Sequence, residues 1–288
     1  MAILKSTFTW LSSVLWGKTP PYKLKMKPPA PKAILFCDFD GTLYAGMGPK
    51  AEALYLTFKE FFPDKVNEGN KAYVMQSFFD HGGKSTEEIL AGTAKRLGID
   101  IQGKLPHMTE VQLKNEKALY DKKGKFYPDV DALRKLHGMG IAVGVTTGGE
   151  HEVVNNAVER EGKMGVFSFV FGRHHGLEKE GTPFRKGGPH LEIVKKHLGK
   201  NMPPVFYYGD THADLDTAKS MGAQMVFMRE GTITKKKILE GAREKGLEGK
   251  VFVVKDNHEV VRLLKHLSEH MFTPGKYPPD DSDDSKKT

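Results

Sequence analysis

One cysteine in 288 residues, Cys37, removes two classes of protein at once. A lone thiol builds neither an intrachain disulfide framework nor a cysteine-ligated zinc site. Its place in an apolar run gives it the role of a small buried residue. Acids are missing from the first 37 positions, where six lysines supply +6 of the +8 net charge. The 274–288 stretch contributes −1, so residues 38–273 carry only +3. No aromatic residues interleave with a basic patch there, so the basic balance does not argue for nucleic acid. The apolar part of the N-terminal stretch is too short to span a bilayer. Repeats and low-complexity tracts are absent from the body of the chain.

What the ends contain is compositional. Ile3, Leu4, Phe8, Trp10, Leu11, Val14 and Leu15 recur near helical spacing, with Lys5, Thr9, Ser12 and Ser13 between them. This acid-free, Ser/Thr-bearing leader fits a mitochondrial or other organellar presequence, although its basic residues are all lysine. A membrane-surface helix over residues 1–17, anchored by Trp10 and Trp16, is the second reading. A helix docked on the protein's own surface is the third. The expected location is intracellular, organellar if the leader is a presequence and otherwise cytoplasmic. Prolines 20, 21, 28, 29 and 31 make an extended linker that completes the leader, residues 1–32. The polar, proline-bearing 274–288 tail is expected to be disordered.

Between these ends the hydrophobic pattern divides the chain. Residues 33–37 form a buried strand. Residues 46–125 then show helical patterning alone, with helices expected at 51–61, 71–79, 86–97 and 109–121 and a capping box at Ser85 and Glu88. From residue 126 strands and helices alternate: helices over 129–137, 150–161, 189–198, 213–221, 233–245 and 259–271, and strands over 141–146, 166–171, 205–208, 224–228 and 251–254. Short connections between them argue for a parallel sheet covered by helices on both faces. The expectation is a Rossmann-like α/β core, residues 33–45 and 126–273, interrupted by an α-helical cap at 46–125.

Chemistry concentrates where strands should end. The first strand runs into Asp38-Phe39-Asp40-Gly41-Thr42-Leu43. Asp-Gly is common turn chemistry, but two carboxylates one residue apart at a strand's carboxyl end repel each other unless a hard cation neutralises them. The second strand meets Thr146-Thr147-Gly148-Gly149, a helix cap or an anion site. A glycine-bearing loop carries Arg185 and Lys186. The fourth strand ends at Gly209-Asp210, with Asp214 one helical turn on, which suits either a cation or a helix N-terminus.

The order Asp-x-Asp-Gly-Thr, Thr, Lys, Gly-Asp-x-x-x-Asp closely resembles the haloacid dehalogenase-like superfamily over residues 33 to about 230. Tyr127-Pro128-Asp129-Val130 and the helical insert resemble its helical-cap subclass, which includes phosphoglycolate phosphatases and β-phosphoglucomutases. The resemblance implies a Mg²⁺-dependent phosphatase that hydrolyses a small phosphorylated metabolite through an aspartyl-phosphate intermediate. Asp38 would be the nucleophile and Asp40 the general acid/base. Asp38, Asp40 through its carbonyl, Asp210 and, from the outer shell, Asp214 would hold the metal. Gly41, Thr146, Thr147 and Lys186 would cradle the phosphoryl group. Relatives often place proline directly after the lysine, whereas this chain has Gly187-Gly188-Pro189, so Lys179 remains the alternative to Lys186.

Asp40 favours phosphoryl over dehalogenase chemistry, because a departing halide needs no proton. The loop His81-Gly82-Gly83-Lys84-Ser85 resembles the subclass's specificity loop, so Lys84 and His81 are the candidate substrate contacts; a solvent-exposed helix start is the other reading. His174-His175 lacks a third ligand at metal-site spacing and belongs on a surface loop. Phe58, Phe61, Phe62, Phe78 and Phe79 are expected to pack the cap. A phosphomutase of the β-phosphoglucomutase type needs the same residues with a cap that excludes water. A non-catalytic scaffold tethered by the leader would have no need for the whole acidic set.

Overall fold

A computed structural model of the chain describes residues 24–26, 30–81, 84–173, 185–199, 202–229 and 235–270. The 1–17 helix, most of the linker, the 274–288 tail, Gly82, Gly83, His174, His175 and Lys179 lie outside these residues. Six parallel strands form one sheet in the order β3-β2-β1-β4-β5-β6. They are β1 (Ala33–Cys37), β2 (Ile141–Glu150), β3 (Phe169–Arg173), β4 (Val205–Gly209), β5 (Gln224–Met228) and β6 (Val251–Val254).

β1 is central because every one of its residues is buried. Its alternating side chains feed two separate cores. Leu35 and Cys37 join Val154, Val158, Val260 and Leu264, which come from α5 (His151–Arg160) and α9 (Asn257–His270). Ile34 and Phe36 join Leu191, Leu215, Ala218 and Ile238 on the other face, from α6 (Gly188–Leu198), α7 (His212–Met221) and α8 (Lys235–Glu244). Cys37 pairs with Val145 on one side and Tyr208 on the other, which brings the carboxyl ends of β1, β2 and β4 into line.

The insert forms α1 (Met47–Phe61), α2 (Lys71–Asp80), α3 (Thr86–Leu97) and α4 (Leu105–Lys123) around its own core of Leu54, Tyr55, Phe58, Val74, Phe78, Leu90 and Met108. The Ser85–Glu88 capping box opens α3. Of the five cap phenylalanines, Phe79 departs from expectation and is 43% exposed. Two crossings join cap to core: Tyr44 bridges Phe126, and Ala45 N–H donates to the Lys125 carbonyl at 2.8 Å. Phe39, Tyr44, Tyr120 and Phe126 pack around them, with Tyr44 centred 4.8 Å from both Phe39 and Tyr120.

Several boundaries differ from the sequence expectation for local reasons. The 129–137 helix is a 3₁₀ segment, Val130–Arg134, followed by one α-turn. Val130, Leu133 and Leu136 are buried at a spacing of three, which is the 3₁₀ period. β3 starts at Phe169 rather than 166, because Val166 N–H closes a 3₁₀ turn onto the Lys163 carbonyl. β2 continues past Thr146 to Glu150 through a slip in register. Among the described residues no helix is long and apolar enough to cross a membrane.

Gly144 in β2 faces the Phe169 ring, and a Cβ would run into it. That ring stacks on Phe171 at 4.7 Å, so it has little room to retreat. Gly144→Ala is expected to cost about 1–3 kcal/mol through overpacking, read as a lower urea midpoint at unchanged slope.

Candidate active site

The site grows from the aligned ends of β1, β2 and β4. After β1 the chain folds back on itself: Leu43 and Tyr44 N–H both donate to the Phe39 carbonyl at 2.9 Å. Gly41 makes this turn at φ +87°, which favours glycine. A Cβ on it would lie 2.6 Å from Asp210 Oδ2. The absent side chain therefore lets the first and fourth strand-end loops meet. The Gly41 amide, expected to face phosphoryl oxygens, instead donates to the Tyr44 carbonyl at 2.9 Å. Thr42 Oγ1 donates to Asp210 Oδ1 at 2.6 Å and orients it.

Lys186 sits between two carboxylates, 2.6 Å from Asp38 Oδ1 and 2.8 Å from Asp214 Oδ1. Asp214 is fully buried and saturated. It also accepts from Tyr207 Oη at 2.9 Å, from Asp210 N–H at 3.1 Å, and from Thr211 N–H and Oγ1 at 2.9 and 2.7 Å. Burial works against its charge, but Lys186 and Thr211 hold its carboxyl below the usual range. Burial likewise opposes the Lys186 ammonium, and Asp214 and Asp38 outweigh it, so the amine is held well above its ordinary value.

Two acids remain under-compensated. Burial pushes Asp38 up to about 7 against the pull of Lys186. Burial, with Asp214 and Asp38 adding, pushes Asp210 up to about 8. Oxygens of Asp38, Asp210 and Asp214 lie within 4.8 Å of one another. Because Asp214 is already occupied by donors, Asp38 and Asp210 are the carboxylates left to face a cation. All-oxygen donors with excess negative charge suit a hard divalent ion.

On the other side, Thr146 Oγ1 lies 2.5 Å from His190 Nδ1, and His190 Nε2 lies 3.1 Å from the Gly172 carbonyl. A carbonyl only accepts, so Nε2 carries a hydrogen. Burial pushes the imidazole down to about 3, which leaves it neutral with Nδ1 as acceptor. The Thr146 hydroxyl therefore donates to His190 and holds the strand-end loop. The slip in register takes residues 147–149 out of the β3 ladder, and Gly149 N–H donates to Thr147 Oγ1 at 3.1 Å. The sequence reading missed His190, whose only signal was a histidine four positions after Lys186.

Asp40 turns toward the cap. Lys50 Nζ, from the first turn of α1, is 2.6 Å from Oδ2, and Tyr120 Oη, from α4, donates to Oδ1 at 2.6 Å. Neither was singled out from sequence. Lys84 is exposed at the entry to α3. His81 Nδ1 lies 2.7 Å from the Ser77 carbonyl, and its ring packs on Gly92 inside the cap. Their contacts among the described residues stay within the cap.

A profile of the haloacid dehalogenase-like hydrolases matches residues 34–228. No curated protein matches the chain. Solved structures share the fold. A haloacid dehalogenase-like hydrolase family protein from Streptococcus pneumoniae superposes with TM-score 0.60 at 15% identity, covering 81% of this chain and 97% of its own. A predicted phosphoglycolate phosphatase from Haemophilus somnus gives 0.55 at 18%, covering 81% and 97%. A predicted phosphatase from Clostridium acetobutylicum gives 0.57 at 16%, covering 83% and 100%.

The neutral, buried His190 predicts a pH effect on stability. Its value in the fold, about 3, is below the ordinary 6.5, so as pH falls the unfolded chain takes up the proton first and stability is lost. Between pH 7 and 5.5 wild type should lose about 1 kcal/mol more than His190→Gln, measured by urea denaturation of both proteins. Equal losses would mean that His190 is protonated in the fold.

Proposed function

This chain belongs to the haloacid dehalogenase-like hydrolases, and from that premise we propose that it is a Mg²⁺-dependent phosphatase acting on a small phosphorylated metabolite through an aspartyl-phosphate on Asp38. One observation carries the reading: the paired carboxylates are held in different surroundings. Asp38 is fixed by Lys186 beside Asp210, whereas Asp40 is held toward the cap by Lys50 and Tyr120. A nucleophile and a proton donor need that separation.

In this reading the Asp38 carboxylate attacks phosphorus, which splits one displacement into two. Lys186 and the Thr147 main-chain amide, which the β2 slip takes out of the β3 ladder, take phosphoryl oxygens. Thr146, committed to His190, keeps that loop in place. Asp40 protonates the leaving oxygen, then removes a proton from the water that hydrolyses the intermediate. The Asp38 and Asp210 carboxylates and the Asp40 carbonyl would hold Mg²⁺, with Asp214 behind them. The ion, when bound, supplies the positive charge that lets an anionic nucleophile approach an anionic phosphate.

The test is phosphate release from a panel of sugar phosphates, phosphoglycolate, nucleotides and an aryl phosphate. Activity should vanish with EDTA and return with Mg²⁺. Asp38→Asn should abolish turnover, and full activity in that variant would remove Asp38 as nucleophile. Asp40→Asn should slow alkyl phosphates by roughly 10²–10⁴-fold. With the aryl ester, whose leaving group needs little protonation, it should spare the initial burst of phenol and slow the steady state that follows, because Asp40 also activates the hydrolytic water. An isomerised sugar phosphate without phosphate release would replace this reading by the phosphomutase one.

A further inference from the structure

Whatever leaves phosphorus takes its proton from Asp40, so side chains touching the Asp40 carboxylate stand beside the leaving group. Lys50 and Tyr120 do so, one on each carboxylate oxygen, and the ammonium lies 5.5 Å from the Tyr120 ring centroid. Gly46 permits this cluster, because a Cβ there would run into Asp40 and Tyr120. Along α4, Gln112, Glu116 and Tyr120 recur every four residues and share a face. Gln112 Nε2 donates to Glu116 Oε1 at 2.9 Å and fixes that carboxyl. Glu116 is half-buried, and it interacts electrostatically with Lys50, Asp40 and Arg173.

Charge then selects among leaving groups. Asp38, Asp40, Glu116, Asp210 and Asp214 surround the reaction centre, against the two ammonium groups of Lys50 and Lys186. Lys186 is shared by Asp38 and Asp214, Lys50 is engaged by Asp40, and Arg173 is met by Glu150. A divalent cation and a phosphoryl dianion leave this balance negative. A carboxylate or second phosphate on the leaving group would meet Glu116 across a partly dehydrated gap, where like charges repel strongly. A hydroxyl instead can donate to Glu116 and accept from Lys50.

We propose that Lys50, Glu116 and Tyr120 form the leaving-group subsite, and that it selects uncharged, hydroxyl-bearing leaving groups, as in a polyol or sugar monophosphate, over leaving groups with an anionic substituent. This rests on the phosphatase reading.

The full chain with Mg²⁺ is assayed on three esters: p-nitrophenyl phosphate, glycerol 3-phosphate and 3-phosphoglycerate. The last two differ by a carboxylate in place of a hydroxymethyl group. Wild type should favour glycerol 3-phosphate by tenfold or more in kcat/KM; where an ester turns over too slowly, its Ki against the aryl ester supplies the ratio. Glu116→Gln should shrink the preference at least threefold, chiefly through the KM for 3-phosphoglycerate. Glu110→Gln, on the exposed side of α4, should leave it unchanged. Lys50→Met should lower kcat on glycerol 3-phosphate far more than on the aryl ester, with partial rescue by Lys50→Arg. A wild-type ratio at or below one, or a ratio indifferent to Glu116→Gln, overturns the subsite alone. A wild type that hydrolyses none of the three, the aryl ester included, overturns the phosphatase reading and the subsite with it.

Discussion

A single, largely buried ammonium holds the site together. Lys186 stands within 2.8 Å of both Asp38 and Asp214, where bare carboxylates would repel one another in a medium that screens poorly. Removing one partner of such a buried arrangement typically costs about 3–5 kcal/mol, because it leaves an uncompensated charge. Much of the surrounding sequence serves this requirement. Tyr207 and Thr211 supply donors that Lys186 cannot, and Gly209 lacks the side chain that would collide with Asp214. The charge that Lys186 leaves over falls on Asp38 and Asp210, and there the chain is suited to take a metal.

The sheet makes this concentration of charge possible. Parallel strands end together, and the register that pairs Cys37 with Val145 and Tyr208 delivers three loops to one edge. Asp38 N–H donates to the Tyr208 carbonyl at 2.7 Å, which extends the β1–β4 ladder to Asp38 itself, the nucleophile of the proposed reaction. Rigid strands thus carry Asp38 and Asp210, whereas Lys186 enters on the loop before α6. Precision is built into the groups that must not move relative to one another.

The core of this site was legible because its residues lie beside strand ends, and both the strands and the acids are local patterns. Asp38, Asp210, Asp214 and Lys186 meet as their places in the sequence suggested. What was not legible is distant in sequence. Tyr120 reaches Asp40 across 80 positions and His190 reaches Thr146 across 44. No periodicity encodes such pairs; they follow from how α4 returns to the hinge and how α6 docks under β2. Gly41 shows a subtler limit. Its importance was visible, but its role was assigned to the amide, while the structure uses the missing Cβ. The 3₁₀ segment after Pro128 was expected as an α-helix because Val130, Leu133 and Leu136, apolar residues three apart, fit either period over so short a stretch.

The two aspartates of the opening motif end up governed by different parts of the fold. Asp38 answers to the core through Lys186. Asp40 answers to the cap through Lys50 on the helix that enters it and Tyr120 on the helix that leaves it. Those helices flank the two hinge crossings, and the Phe39–Tyr44–Tyr120–Phe126 cluster packs around the crossings. The orientation of the Asp40 carboxylate therefore depends on where the cap sits, whereas that of Asp38 is set by Lys186 in the core.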